Sequence, residues 1–263
     1  MSLKLRVDIA LQLNDGVLFR TRRFVPDYRY TQSFLGIGLC EELVILDITR
    51  QPTPESRERF LERAAEISLE ACTPAVIGGN IRTIEEVAFI IRNCGEGVIL
   101  GRAARDSPEL ISEIAMKYGS QACTVAIDFL PDGKVRCRGE EGGQSLTVRE
   151  WAVQAVALGA GQILLTSIDR DGSLEGYDVR MLASVAREVS VPVMIAGGCG
   201  NAGHMREAFA AGASACVTSN IFHMSESGMV AMHEQLAAAG VNVRSFGKKL
   251  EDFDWPGQPM EPA

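Results

Sequence analysis

The chain has 263 residues, 46% hydrophobic and 23% charged, a size and balance suited to one globular α/β barrel or two small domains. A formal net charge of −8 argues against nucleic acid or an anionic membrane as the main partner. It leaves a phosphorylated small molecule open, because backbone N–H groups alone can hold phosphate.

The first residues, MSLKLRVDIALQL, alternate like a strand and lack the apolar core of a signal peptide. No apolar run reaches the ~18 residues of a spanning helix, so a cytoplasmic protein is expected. Short apolar runs then recur about every thirty residues, which predicts strands at 4–12, 43–48, 74–78, 97–101, 122–128, 162–167, 192–196 and 214–219. Amphipathic stretches at 55–70, 83–92, 148–158 and 178–188 lie between them. LVILDI, TVAIDF, QILLTS and VPVMIA are apolar without alternation, as strands buried on both faces should be. The eight units predict one barrel over 1–246. The remaining 247–263 are acidic, Pro-rich and aperiodic, and predict a mobile tail. Seven cysteines are scattered without a CxxC pair or a nearby His cluster, so neither a metal nor another cofactor is expected.

An internal repeat decides between barrel and open sheet. LVILDIT (43–49) lines up with QILLTSI (162–168), 119 residues on, an offset that sets Gly79 against Gly198. GVILGRAA likewise lines up with ACVTSNIF. Two half-barrels of four βα units explain this doubling, so the fold class is a (β/α)8 TIM barrel.

In such a barrel the working residues sit at the C-terminal strand ends and in the loops after them. Gly79-Asn80 after the third predicted strand and Gly101-Arg102 after the fourth form one candidate phosphate cradle. Gly197-Gly198 after the seventh and Ser219-Asn220 after the eighth form its counterpart. These glycines either let backbone approach an anion or only turn the chain into the next helix. Arg102 suits a backbone nest poorly, but can pair directly with a phosphate or carboxylate. Asp128 ends the fifth predicted strand, where it can be a general acid or base or a loop cap. Asp47 ends the second. Thr166 and Ser167 end the sixth and offer hydroxyls. Asp171-Gly172 follows, as substrate contact or as an Asp-Gly turn. Gln12 occupies the half-repeat position of Asp128, and an amide cannot transfer protons near neutral pH.

LVILDIT, VIGGNI, YGSQACTVAID, GAGQILLTSIDRDGSLEGYD, IAGGCG and GVNVR closely resemble the cyclase subunit family of imidazole glycerol phosphate synthase, from about residue 3 to 246. The resemblance implies a lyase-type cyclase of histidine biosynthesis, fed with ammonia by a glutaminase docked under the barrel. It also implies two catalytic aspartates. Asp128 matches one, whereas Gln12 replaces the other. Arg20 stands for a loop-1 lysine, and loop 1 (21–30) and the helix after it look short. On the opposite face the family's ammonia gate is a ring of four charges. Arg6 and Glu42 match two of them, Gly97 and Gln162 replace the others, and Glu96 matches the acidic residue that touches the glutaminase.

Losses on the catalytic face with the framework kept fit a diverged paralogue. Related barrels with an aromatic–proline–tyrosine loop 1, as in Phe24-Val25-Pro26-Asp27-Tyr28, stand beside amidotransferases that modify nucleotide sugars. The expected function is therefore a glutaminase-partnered synthase subunit acting on a phosphorylated or nucleotide-sugar substrate. The alternatives are a genuine histidine-pathway cyclase with an altered site, and a non-catalytic binding or scaffold subunit.

Overall fold

A computed structural model describes residues 4–30, 40–136, 146–219 and 228–244. Asn220, the stretch after loop 1 and the predicted tail fall outside these residues.

Eight parallel strands close into a ring: β1 (Arg6–Asn14), β4 (Leu43–Asp47), β5 (Ala75–Gly78), β6 (Gly97–Leu100), β7 (Cys123–Phe129), β9 (Gln162–Ser167), β10 (Val193–Ala196) and β11 (Ala215–Thr218). Closure is made by β1, which pairs with β4 on one side and β11 on the other. The predicted (β/α)8 barrel is therefore present. Most strand limits shift by one or two residues from the expected ones.

Around the ring run α1 (Pro54–Ala71), α2 (Ile84–Asn93), α3 (Arg102–Asp106), α4 (Glu109–Tyr118), α5 (Val148–Leu158), α6 (Val179–Ala186), α7 (Ala202–Ala210) and α8 (Met229–Ala238). Their starts carry local signals. Thr53 caps α1 with Pro54 at its first position, and Thr83/Glu86 and Thr147/Glu150 form capping boxes on α2 and α5. The outer core lies between helices and ring, with Phe60, Ile67, Ile90, Ile111, Trp151 and Leu182 packed on it. A second, smaller core of Ala10, Val44, Val76, Ile99, Leu164, Met194, Ala215 and Val217 fills the barrel itself.

Loop 1 differs from expectation. It is a hairpin arm, β2 (Val17–Arg22) with β3 (Val25–Arg29), rising antiparallel from the end of β1. The turn into it is Asp15-Gly16, both at positive φ (52° and 75°), as a tight hairpin requires. A second arm, β8 (Val135–Arg136), folds back on β7.

The repeat also needs correcting by one residue. Inward-facing Val44 corresponds to Leu164, and Val76 to Met194, so the offset in strands is even. Gly79 then matches Gly197, not Gly198. A Cβ on Gly79 would lie 2.1 Å from the Asp47 carbonyl oxygen, and one on Gly197 2.6 Å from that of Ser167. An odd offset would set an inward residue against an outward one.

Candidate active site

The C-terminal strand ends open into a cavity of about 890 Å³, of ligand-binding size. Its floor is apolar: Ala10, Val44, Ile99, Leu164 and Val217. Gln12 of β1 and Asp128 of β7 line it from opposite walls, because four strand steps separate β1 from β7 in either direction round the ring. Thr166 stands beside Asp128 in register across β7 and β9. Gln12 is 8% exposed, and its side-chain oxygen has no hydrogen-bond partner. A buried acceptor on a cavity wall is a place where a ligand N–H or O–H can bind.

The remaining expected residues divide. Gly79, Asn80, Gly101, Arg102, Asp171, Gly172, Gly197, Gly198 and Ser219 line the cavity. Ser167 does not. It pairs in register with outward-facing Phe129, is 1% exposed, and its hydroxyl donates to Asp169 at 2.9 Å. Arg20 also stays out of the lining; it pairs with Asp27 and stacks 5.6 Å from the Tyr28 ring centre. Asp47 is a structural group: its carboxylate accepts from Thr49 N–H and from Arg57.

The glycines do positional work as well as leaving room. Gly198, at φ 101°, lets its backbone meet the loop between β9 and α6, where Gly176 N–H donates to the Gly198 carbonyl at 2.7 Å. Gly101 is different, since an added Cβ there would meet nothing within 4 Å.

Sequence reading singled out Arg102 but missed the other four arginines of the rim. Arg50, Arg82, Arg102, Arg105 and Arg136 all line the cavity, and four of them follow β4, β5 and β6. One half of the mouth is thus guanidinium-rich. The other half, after β9 to β11, offers Thr166, Gly197, Gly198 and Ser219 instead. Guanidinium forks match phosphate oxygens bidentately. No motif marks them, because they are scattered through loops and only the barrel gathers them.

The β2–β3 arm leans over this mouth. At its tip Arg23 N–H donates to the Asp171 carbonyl at 3.1 Å, and Phe24 N–H to the Asp171 carboxylate at 3.0 Å. Asp171→Ala removes the second bond only. Trypsin should then cut at Arg22 or Arg23 several-fold faster, and an unchanged rate in limited proteolysis would show that the carboxylate does not hold the arm.

At the barrel base, Arg6 lies 3.4 Å from Glu42. Gly97 contributes no side chain, and the Gln162 amide meets the Thr124 hydroxyl at 3.5 Å. Glu96 is exposed on the same face. Asp8 was overlooked. It is 0% exposed in the barrel interior, 3.5 Å from Arg6. Burial pushes its carboxyl well above the ordinary range; Arg6 opposes this, and Glu42 and Glu41 add to it. Burial raises Glu42 too, again opposed by Arg6.

The folded chain therefore keeps the Asp8 proton to higher pH than the unfolded chain does. Its stability must fall as pH rises from the ordinary carboxylate range upward. Asp8→Asn should gain on the wild type over that interval, read as urea midpoints in sodium buffers. A gain that shrinks with rising pH would contradict the assignment.

A closed barrel with polar strand tips round one cavity belongs to the class whose chemistry sits at the C-terminal face. A family model described as "Histidine biosynthesis protein" matches residues 5–227, and the chain belongs to that family. Its relatives include proteins named "Imidazole glycerol phosphate synthase subunit HisF". The one from Chlorobium phaeobacteroides is 40% identical over 233 residues, covering 87% of this chain and 92% of the relative. Those from Pyrobaculum aerophilum and Thermococcus gammatolerans are 37% and 39% identical, each covering 78% of this chain and 81% of the relative. Among the described residues no helix is long and apolar enough to cross a membrane.

Proposed function

We propose that this chain is the barrel subunit of a glutamine-dependent synthase, taking ammonia from a glutaminase and adding it to a phosphorylated or nucleotide-sugar substrate. One observation carries this reading: the Asp128 carboxylate faces the amide of Gln12, not a second acid, across a cavity with five arginines on its lining. The arginines of the β4–β6 side suit a phosphate or diphosphate, and the glycines and hydroxyls opposite suit a second polar end. Asp128 takes or gives the proton, while Gln12 can only orient a donor. Phosphate contacts at Gly197, Gly198, Ser219, Asn220 and Arg102 are part of the proposal. Partner docking rests on Glu96 and the base ring, and on the relatives being named as subunits. The barrel domain spans 1–246 in this reading.

The test is mixing with a candidate glutaminase. A complex should form at micromolar concentration, and glutamine turnover should rise; no complex would count heavily against it. A second reading, a true histidine-pathway cyclase, is favoured by the names of the relatives. Robust conversion of the histidine precursor by the purified chain with ammonium salts would establish that reading and overturn ours.

A further inference from the structure

Three side chains form one row on the cavity wall around Asp128. β7 pairs with β9 along one edge and with β8 along the other, which sets Thr166, Asp128 and Arg136 opposite one another in register. Residues opposed in this way point to the same face of the sheet, and all three line the cavity. Neighbouring strands lie about 5 Å apart, so the row runs from hydroxyl to carboxylate to guanidinium over about 10 Å. Arg136 differs in this from the other rim arginines, which stand on the loops after β4, β5 and β6. It branches from a strand, directly beside the group placed to transfer a proton.

The arm braces this guanidinium. Nη2 of Arg136 donates to the Asp132 carboxylate at 2.9 Å, and Nη1 to the Val135 carbonyl at 3.3 Å. Its side chain is 18% exposed, so a ligand that reaches it meets a charge already withdrawn from most of its water. Asp132 lies outside the cavity lining. A carboxylate is the anion that fits such a place. In the proposed function the four arginines after β4, β5 and β6 take a phosphate or diphosphate without help from Arg136. A phosphoryl dianion beside Asp128 would meet one guanidinium, whose charge Asp132 already shares, and a like charge next in the row. A carboxylate carries one charge and matches one guanidinium fork.

We propose that Arg136 selects an acceptor bearing a carboxylate, held a few bonds from the atom at which Asp128 transfers a proton. The Thr166 hydroxyl, at the other end of the row, hydrogen-bonds the same unit of the substrate. For a sugar acceptor this means a uronic acid in place of a neutral hexose. The inference deepens the proposed function and rests on it: that reading supplies the phosphate-carrying acceptor and the role of Asp128, and the row adds the acid group.

The experiment uses the purified chain and two probe pairs whose members differ in the oxidation of C6 to a carboxylate. These are UDP-glucuronate with UDP-glucose, and glucuronate 1-phosphate with glucose 1-phosphate. Calorimetry at fixed pH and ionic strength gives the dissociation constants. The wild type should favour the uronate of at least one pair by about ten-fold or more, the worth of one charge-assisted hydrogen bond. Arg136→Gln should bring that ratio to about one. Arg136→Lys should keep part of it, because it retains the charge without the fork, and it serves if the first variant does not fold. Asp132→Asn should raise the ratio by removing the competing carboxylate. Arg102→Gln should weaken both members of a pair alike and leave the ratio standing. Equal affinities in the wild type, a preference that survives in Arg136→Gln, or one lost in Arg102→Gln instead would overturn the role of Arg136. Binding of both members without preference overturns that role alone, whereas binding of no probe at all overturns the proposed class of acceptor with it.

Discussion

Asp128→Asn should lower turnover of the wild-type barrel's acceptor by about 10²–10⁴-fold, the usual loss when a general acid or base is removed. The expected deficit is in product formation. Glutamine hydrolysis by a bound partner should continue, because the substitution lies at the strand tips, at the other end of the barrel from the base ring. The companion change is Gln12→Asp. It places a second carboxylate on the opposite wall of the cavity. If the chain is a repurposed barrel, this restores little turnover of the histidine precursor and impairs the native reaction, since a like charge now faces Asp128. If the chain is a crippled histidine cyclase, the same change raises precursor turnover. Rates for both variants on both substrates, with melting curves alongside, separate the cases. Wild-type rates in Asp128→Asn would remove Asp128 from the chemistry altogether.

Arg57→Met should cost about 3–5 kcal/mol of stability, as loss of one partner of a buried ion pair does. Arg57 Nη1 donates to Asp47 and to the Gly79 carbonyl, each at 3.0 Å, and the guanidinium stacks 5.0 Å from the Phe60 ring centre. The Asp47 side chain is wholly buried beneath it. Removing the guanidinium leaves that carboxylate with the Thr49 N–H at 2.9 Å but no counter-charge. The double variant Asp47→Asn/Arg57→Met should recover most of the loss, because the amide oxygen still accepts from Thr49 and no charge is stranded. Urea midpoints at neutral pH measure both. A single variant costing under ~1 kcal/mol would show that the pair is not effectively buried. Since Arg57 ties α1 to the loop carrying Gly79, the damage should also reach the rim of the cavity.

The ring was legible because strands buried on both faces are written as unbroken apolar runs, and because the chain repeats. The same unbroken runs hide which residues point inward. That is why Ser167 was expected in the cavity although it faces outward to Asp169, and why the repeat slipped by one. Asp8 could have been found, since it shares inward parity with Arg6 and Gln12 on one strand. The hairpin arm also had its signal, the Asp15-Gly16 turn, which a reading focused on loop length passed over. Gln12 and Asp128 were legible as an unequal pair and do line opposite walls of one cavity. Of the arginine rim only Arg102 was, because its members lie on separate loops and become neighbours only through closure.

The two arms, β2–β3 and β8, follow the first strand of each half-barrel and so rise beside Gln12 and beside Asp128. Neither arm supplies a rung to the closed ring. Each can lengthen, shorten or change its tip without unpairing a ring strand. Thr21 and Phe24 of one arm and Val135 and Arg136 of the other line the cavity, so either tower can be rebuilt to alter the cavity wall while the foundation goes on folding unchanged.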